Sequence, residues 1–185
     1  MGYAGGTKKN PTYHDLGDYT ETVQLDFDPS KVSYAELLRL FWQGHQPDAR
    51  SWSRQYQAVV FYHNPAQQQL AAQTRAEVQA RLGRPVYTEI RPAGEFYLAE
   101  DYHQKFYLTR VPELLSEYRA SYPDLKDFID STAVTRVNGY AAGYGTREQL
   151  EQELDGLGLS AAGRQVLLRL APAGRPQPRE LCPVG

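Results

Sequence analysis

Cysteine is almost missing from this chain: Cys182 is the single one among 185 residues. One thiol excludes an internal disulfide and any all-thiolate metal site. Histidine is nearly as scarce. His14, His45, His63 and His103 form neither an i, i+4 pair nor an HExxH motif, so each reads as a surface or capping residue and no metal site is expected. Charge of one sign is lacking too. The net charge is −2, which leaves no basic stripe for nucleic acid or an anionic membrane. No apolar run approaches the length of a transmembrane helix. The first residues lack the charged start and apolar stretch of a signal peptide, and Gly6 stands where a myristoylation signal has Ser or Thr. A cytoplasmic location is therefore expected. What is present suits one packed core with an appended tail: 41% apolar and 23% charged residues, with 14 tyrosines against 6 phenylalanines.

Residues 2–20 are rich in Gly, Asn, Pro and Asp and read as loop. The alternation Glu21-Thr-Val-Gln-Leu-Asp-Phe27 then predicts a strand, with Glu21, Val23, Leu25 and Phe27 on one face and Asp28-Pro29 ending it. Ser33 with Glu36 forms a capping box ahead of a helix whose stripe is Tyr34, Leu37, Leu38 and Phe41, closed by Gly44. Tyr56–Tyr62 reads as a second strand. Asn64-Pro65 opens a long polar helix stopped by Gly83, and Val86–Ile90 is a third strand. Helices are expected over 100–109 and 113–122.

Strands mixed with helices point to an α/β class, a small sheet with helices over it. The texture changes near Val134. Asn138–Gly145 reads as loop, Thr146 with Gln149 caps a short helix, and Ser160 starts another. The composition after Leu170, rich in Pro, Gly and Arg, predicts a disordered tail. The expected division is thus 1–133, 134–170 and 171–185.

Glu21 is the residue most suggestive of chemistry. A carboxylate at the end of an apolar strand face, if buried, is driven toward its protonated form and becomes a proton donor near neutral pH. A hydrated glutamate at the rim of a strand fits the same pattern. Tyr13 and Tyr56 flank it in sequence.

Several motifs occur in order: Gly2-Tyr-Ala-Gly-Gly6, Asn10-Pro-Thr-Tyr13, Thr20-Glu21, Asp28-Pro29, Phe41-Trp42, Gln55-Tyr56 and Phe96-Tyr-Leu-Ala-Glu-Asp-Tyr-His-Gln104. Together they resemble the A-type peptide-methionine sulfoxide reductases. The resemblance implies a split β-α-β, ferredoxin-like sheet with helices, truncated at its N-terminus, plus a C-terminal helical extension. It implies reduction of methionine-S-sulfoxide in oxidised proteins or peptides by a thiol mechanism, with no bound cofactor and with thioredoxin or another dithiol as reductant. By the same resemblance Glu21 is the acid that protonates the sulfoxide oxygen, and Tyr13 and Tyr56 hydrogen-bond that oxygen.

Three positions depart from the family pattern. The nucleophilic cysteine belongs to a Gly-Cys-Phe-Trp-Gly motif upstream of the Gly-Tyr-Ala-Gly-Gly segment, and no such motif occurs in these residues. Ser51 stands where many members have aspartate, and Tyr19 where a histidine is usual. Cys182, in a Leu-Cys-Pro context, reads as a spare surface thiol, because a reactive thiol needs a fixed electropositive setting. The chain alone is therefore expected to lack reductase activity, its full-length form being the enzyme. The alternative is a non-catalytic module that binds methionine sulfoxide or another protein.

Overall fold

The computed structural model describes residues 1–170, so the expected tail and Cys182 lie outside the described residues. The class is mixed α/β, as the sequence predicts. Packing divides the chain into two compact units, Met1–Glu100 and Asp101 onward. This packing boundary is a different quantity from the family-domain boundary expected at residue 133.

The first unit holds two small sheets. Strand β1 (Gly2–Ala4) lies between β2 (Thr20–Thr22) and β5 (Phe96–Leu98), antiparallel to both. Residues 2–4 are thus the centre of a sheet and not the loop their glycines predict. The reason is tertiary. A Cβ at Gly2 would sit 2.3 Å from both the Tyr97 carbonyl oxygen and the Phe96 ring, so glycine is what lets the backbones approach. In the second sheet β3 (Val59–Tyr62) and β4 (Glu89–Pro92) pair in parallel, joined by the long helix α2 (Pro65–Leu82).

Local signals hold well in the helices of this unit. Helix α1 (Tyr34–Gln43) begins at the reciprocal Ser33–Glu36 capping box, and α2 starts at Asn64 and ends on Gly83 in the left-handed region, φ 63°. The buried face of α1 is Leu38 with Trp42, which join Val60, Ala71, Val78 and Val86. The strands deviate more. Ladder pairing stops at Thr22, well short of Phe27, and leaves Val23 and Leu25 58% and 57% exposed. Alternation describes an extended segment, but only a pairing partner makes it a strand. Val23, Leu25 and Phe27 instead border an apolar groove of about 230 Å³ with Tyr34, Phe41 and Phe61.

The second unit is helical among its described residues. The helix expected over 100–109 is replaced by two single 3₁₀ turns, Asp101–His103 and Leu108–Arg110, with Lys105 between them at φ 51°. Helices α3 (Pro112–Ser121), α4 (Leu125–Asp130), α5 (Thr132–Ala141), α6 (Arg147–Glu153) and α7 (Ala161–Leu170) follow. Helix α5 overrides the loop expected from Asn138, because Asn138 uses its side chain for packing: Oδ1 accepts the Tyr107 and Leu108 amides. The expected Thr146–Gln149 capping box is present, and Ser160 Oγ accepts the Gly163 amide at the start of α7. Glu117 of α3 accepts the Ser160 amide and hydroxyl, so its carboxyl is held below the usual range. Gly163 makes room for this contact, since a Cβ there would lie 2.6 Å from the carboxylate.

The core of this unit gathers Leu114, Phe128, Val134, Val137, Leu150 and Leu167, all fully buried. Phe128→Ala should therefore cost roughly 3–5 kcal/mol, read as a shifted urea midpoint. Exposed Val23→Ser and Leu25→Ser should each stay within about 0.5 kcal/mol of the parent. Equal effects at the three positions would contradict this placement of the core.

Candidate functional site

The 54–56 segment is tied along the outer side of β2 by three hydrogen bonds. The Glu21 amide donates to the Gln55 carbonyl at 3.0 Å, and the Thr20 hydroxyl donates to the Arg54 carbonyl at 3.0 Å. The Gln55 side-chain amide donates to Glu21 Oε1 at 2.8 Å. Glu21 is half-buried, so one carboxylate oxygen is directed by Gln55 while the side chain keeps access to solvent. Tyr56 follows directly. Burial first, then a hydrogen bond with Tyr13 and the nearby Glu21 carboxylate, push the Tyr56 phenol above its ordinary value. Glu21, Tyr13 and Tyr56 are distant in sequence, and the fold brings their side chains together.

Tyr13 is placed by a residue the sequence reading did not single out. The Glu100 carboxylate accepts the Tyr3 hydroxyl at 2.6 Å on one oxygen and the Tyr13 amide at 3.0 Å on the other. One side chain thereby couples the centre of the sheet to the Tyr13 loop. The signal was present in the Ala99-Glu100-Asp101 stretch of the long C-terminal motif, but nothing in spacing alone distinguishes Glu100 from its neighbours. Gln55 was visible only as part of the Gln55-Tyr56 pair.

The rest of the 5–19 loop is anchored by polar contacts. Asp18 accepts the Thr7 amide at 2.8 Å and hydroxyl at 3.0 Å, and the Thr7 amide is the main cause holding its carboxyl below the usual range. Tyr19 is buried at 2% exposure, and its ring lies where a Cβ on Gly6 would be, 2.3 Å away. Ser51 is exposed and donates its hydroxyl to the Ser53 carbonyl at 2.6 Å.

The model of the peptide methionine sulfoxide reductase family matches residues 1–136. The chain belongs to this family. A peptide methionine sulfoxide reductase of Drosophila melanogaster is 40% identical over 167 residues, covering 89% of this chain and 67% of that protein. Peptide methionine sulfoxide reductase A5 of Oryza sativa subsp. japonica is 37% identical over 148 residues, covering 77% of this chain. This chain spans only 58% of the rice protein's length. The reduced form of Mxr1 from Saccharomyces cerevisiae matches in structure with a TM-score of 0.55 and 29% identity, over 60% of this chain and 69% of that one. These likenesses support the A type.

His45 is held outside the tyrosine cluster. Its Nδ1 contacts the Phe41 carbonyl at 2.7 Å and its Nε2 the Thr88 hydroxyl at 2.9 Å. Burial lowers its pKa against the opposing Phe41 hydrogen bond, so it stays neutral at pH 7. No cluster of three potential metal ligands exists among the described residues.

The Tyr13 contact is testable through Tyr56. Tyr13→Phe removes a hydrogen bond that favours the neutral Tyr56 phenol, so the Tyr56 titration should move down toward the ordinary tyrosine range. Burial should keep the return incomplete. Ring-carbon NMR across alkaline pH reads this directly, and a Tyr56 titration that stays put or rises would contradict the hydrogen bond.

Proposed function

We propose that residues 1–133 carry the oxygen-binding side of a methionine-S-sulfoxide reductase site. In this reading Glu21 donates a proton to the sulfoxide oxygen while Tyr13 and Tyr56 hydrogen-bond it. The observation that carries the reading is the gathering of one half-buried carboxylate and two phenols around the 55–56 segment. A sulfoxide oxygen gains negative charge as the S–O bond weakens, and a carboxylic acid with two phenols is suited to that charge. The raised Tyr56 value supports a phenol that remains a donor at neutral and mildly alkaline pH.

The chemistry also needs a two-electron donor. A thiolate attacks the sulfoxide sulfur, oxygen passes from the substrate sulfur to the thiol, and the products are a thioether and a cysteine sulfenic acid. A dithiol such as thioredoxin then reduces the sulfenic acid to the thiol and releases water. The one cysteine of these residues is Cys182, and we do not assign it the nucleophile's role. We place the thiol on a family Gly-Cys-Phe-Trp-Gly segment in the full-length form, seated along the groove lined by Val23, Leu25, Phe27 and Phe61. What supports the placement is that this groove is apolar and borders β2, the strand that carries Glu21. Oxidised proteins or peptides are the proposed substrates.

The 185 residues alone should show no turnover of methionine-S-sulfoxide with dithiothreitol. Restoring ahead of Met1 the family's whole upstream segment, with Gly-Cys-Phe-Trp-Gly roughly 20 residues before Gly2 and the strand and helix that carry it, should confer it. In that fused form Glu21→Gln should lower turnover by roughly 10²-fold or more, the scale expected for a lost general acid. Tyr13→Phe and Tyr56→Phe should each cost less singly than together. Turnover by the chain alone that vanishes in Cys182→Ser would overturn the assignment of the thiol, and full activity of Glu21→Gln would remove Glu21 from the mechanism.

A further inference from the structure

A second cleft, of about 620 Å³, opens beside Tyr56 on the side of the 45–54 loop. The proposed reaction needs no group in it other than Tyr56. Trp52 stands at its edge, 79% exposed, with its ring centroid 5.2 Å from that of Tyr56 at a 47° tilt. An indole held against a neighbouring ring yet open to solvent on most of its surface is a platform for a peptide plane or side chain. Tyr56 lines this cleft as well as belonging to the proposed oxygen site, and Trp52 is the exposed surface next to it.

The charges of this cleft are unbalanced. Arg50 stacks its guanidinium 4.2 Å over the Tyr87 ring, and Arg54 donates Nε to the Asp18 backbone carbonyl. Neither has a carboxylate within 4.0 Å among the described residues. The other ionisable groups do not cancel them. His45 is neutral, Asp48 is paired with Arg84 at 2.9 Å, and Glu89 lies 4.0 Å from Arg91 Nε. Stacking on Tyr87 holds the Arg50 head in place, so little rotamer freedom remains to be lost when an anion arrives.

We infer that this cleft receives the chain flanking the oxidised methionine and prefers an acidic residue there, with Trp52 as the stacking surface and Arg50 as the principal charge. The inference rests on the reductase reading for the identity of the central residue, while the docking of an acidic peptide stands independently of it. It defines the substrate class as methionine sulfoxide in exposed acidic segments.

The test uses the 185-residue chain and the indole N–H signals of its two tryptophans, Trp42 being buried and Trp52 exposed. Short capped peptides with methionine sulfoxide flanked by Glu, Ala or Lys are titrated, together with the Glu-flanked peptide carrying unoxidised methionine. The Glu-flanked peptides should shift the Trp52 indole and bind roughly threefold to fivefold more tightly than the Ala-flanked one, with the Lys-flanked peptide weakest. Added salt should shrink the spread. Arg50→Ala should erase the preference for Glu, and Arg50→Glu should invert the order in favour of Lys. Arg50 is an exposed side chain, so both variants should keep the parent's remaining spectrum. Equal affinities for the three flanks, or a Trp52 signal that no peptide moves at millimolar concentration, would overturn the inference. If oxidised and unoxidised Glu peptides shift Trp52 alike and neither perturbs Gln55 or Tyr13, the docking stands and the reductase reading fails.

Discussion

The close approach of three backbones around β1 sets the conditions for the rest of the first unit. Gly2 has no Cβ to collide with the Tyr97 carbonyl, so β1 can enter between β2 and β5 with Tyr3 opposite both Glu21 and Tyr97. Tyr3 is then buried, at 2% exposure, and its phenol must find a partner or carry the cost of an unsatisfied hydroxyl. The partner is Glu100, whose second oxygen fixes the Tyr13 amide. A steric condition at one residue is thereby connected to the position of a phenol in the candidate site.

The same economy places the other half of the cluster. The β2 strand is only three residues long, too short to be stable by its own ladder. Its backbone and side chains serve on both sides. On one side it pairs with β1, and on the other Thr20 and Glu21 hold Arg54 and Gln55, which sets Tyr56 beside Tyr13. Beyond Thr22 this double support ends, and Val23 and Leu25 turn their apolar surface outward along a groove. Chemistry and exposed apolar surface meet at one strand, which is why the proposed thiol-bearing segment and the proposed oxygen site are neighbours in the mechanism.

The second unit obeys a simpler logic of short helices closed by capping side chains. Glu117 secures the start of α7, Asn138 secures the 107–108 turn, and Tyr118 donates its hydroxyl to the Leu157 carbonyl at 2.7 Å. Each is a polar side chain that satisfies backbone groups left open at a helix or turn end. None of these three contacts is local in sequence, and so none leaves a spacing signature.

What the sequence determined by itself is the helices with local caps. Ser33–Glu36, Asn64-Pro65, Gly83 and Thr146–Gln149 act within one turn, and their hydrogen bonds need no distant partner. The family was legible because the motifs keep their order along the chain, and the same motifs are the ground for proposing Glu21, Tyr13 and Tyr56 as its site residues. The strands were decided by tertiary structure. A strand exists only where another backbone lies at pairing distance, so Gly2–Ala4 became a central strand, and the alternating Val23–Phe27 segment did not pair. Helix α5 likewise runs through Asn138 and Gly139 because the Asn138 side chain is engaged with a turn some thirty residues earlier, a contact no local pattern encodes. Glu100 and the Arg50–Tyr87 stack belong to the same class, since charge and aromaticity are visible in a sequence but their partners are chosen only when the chain has folded.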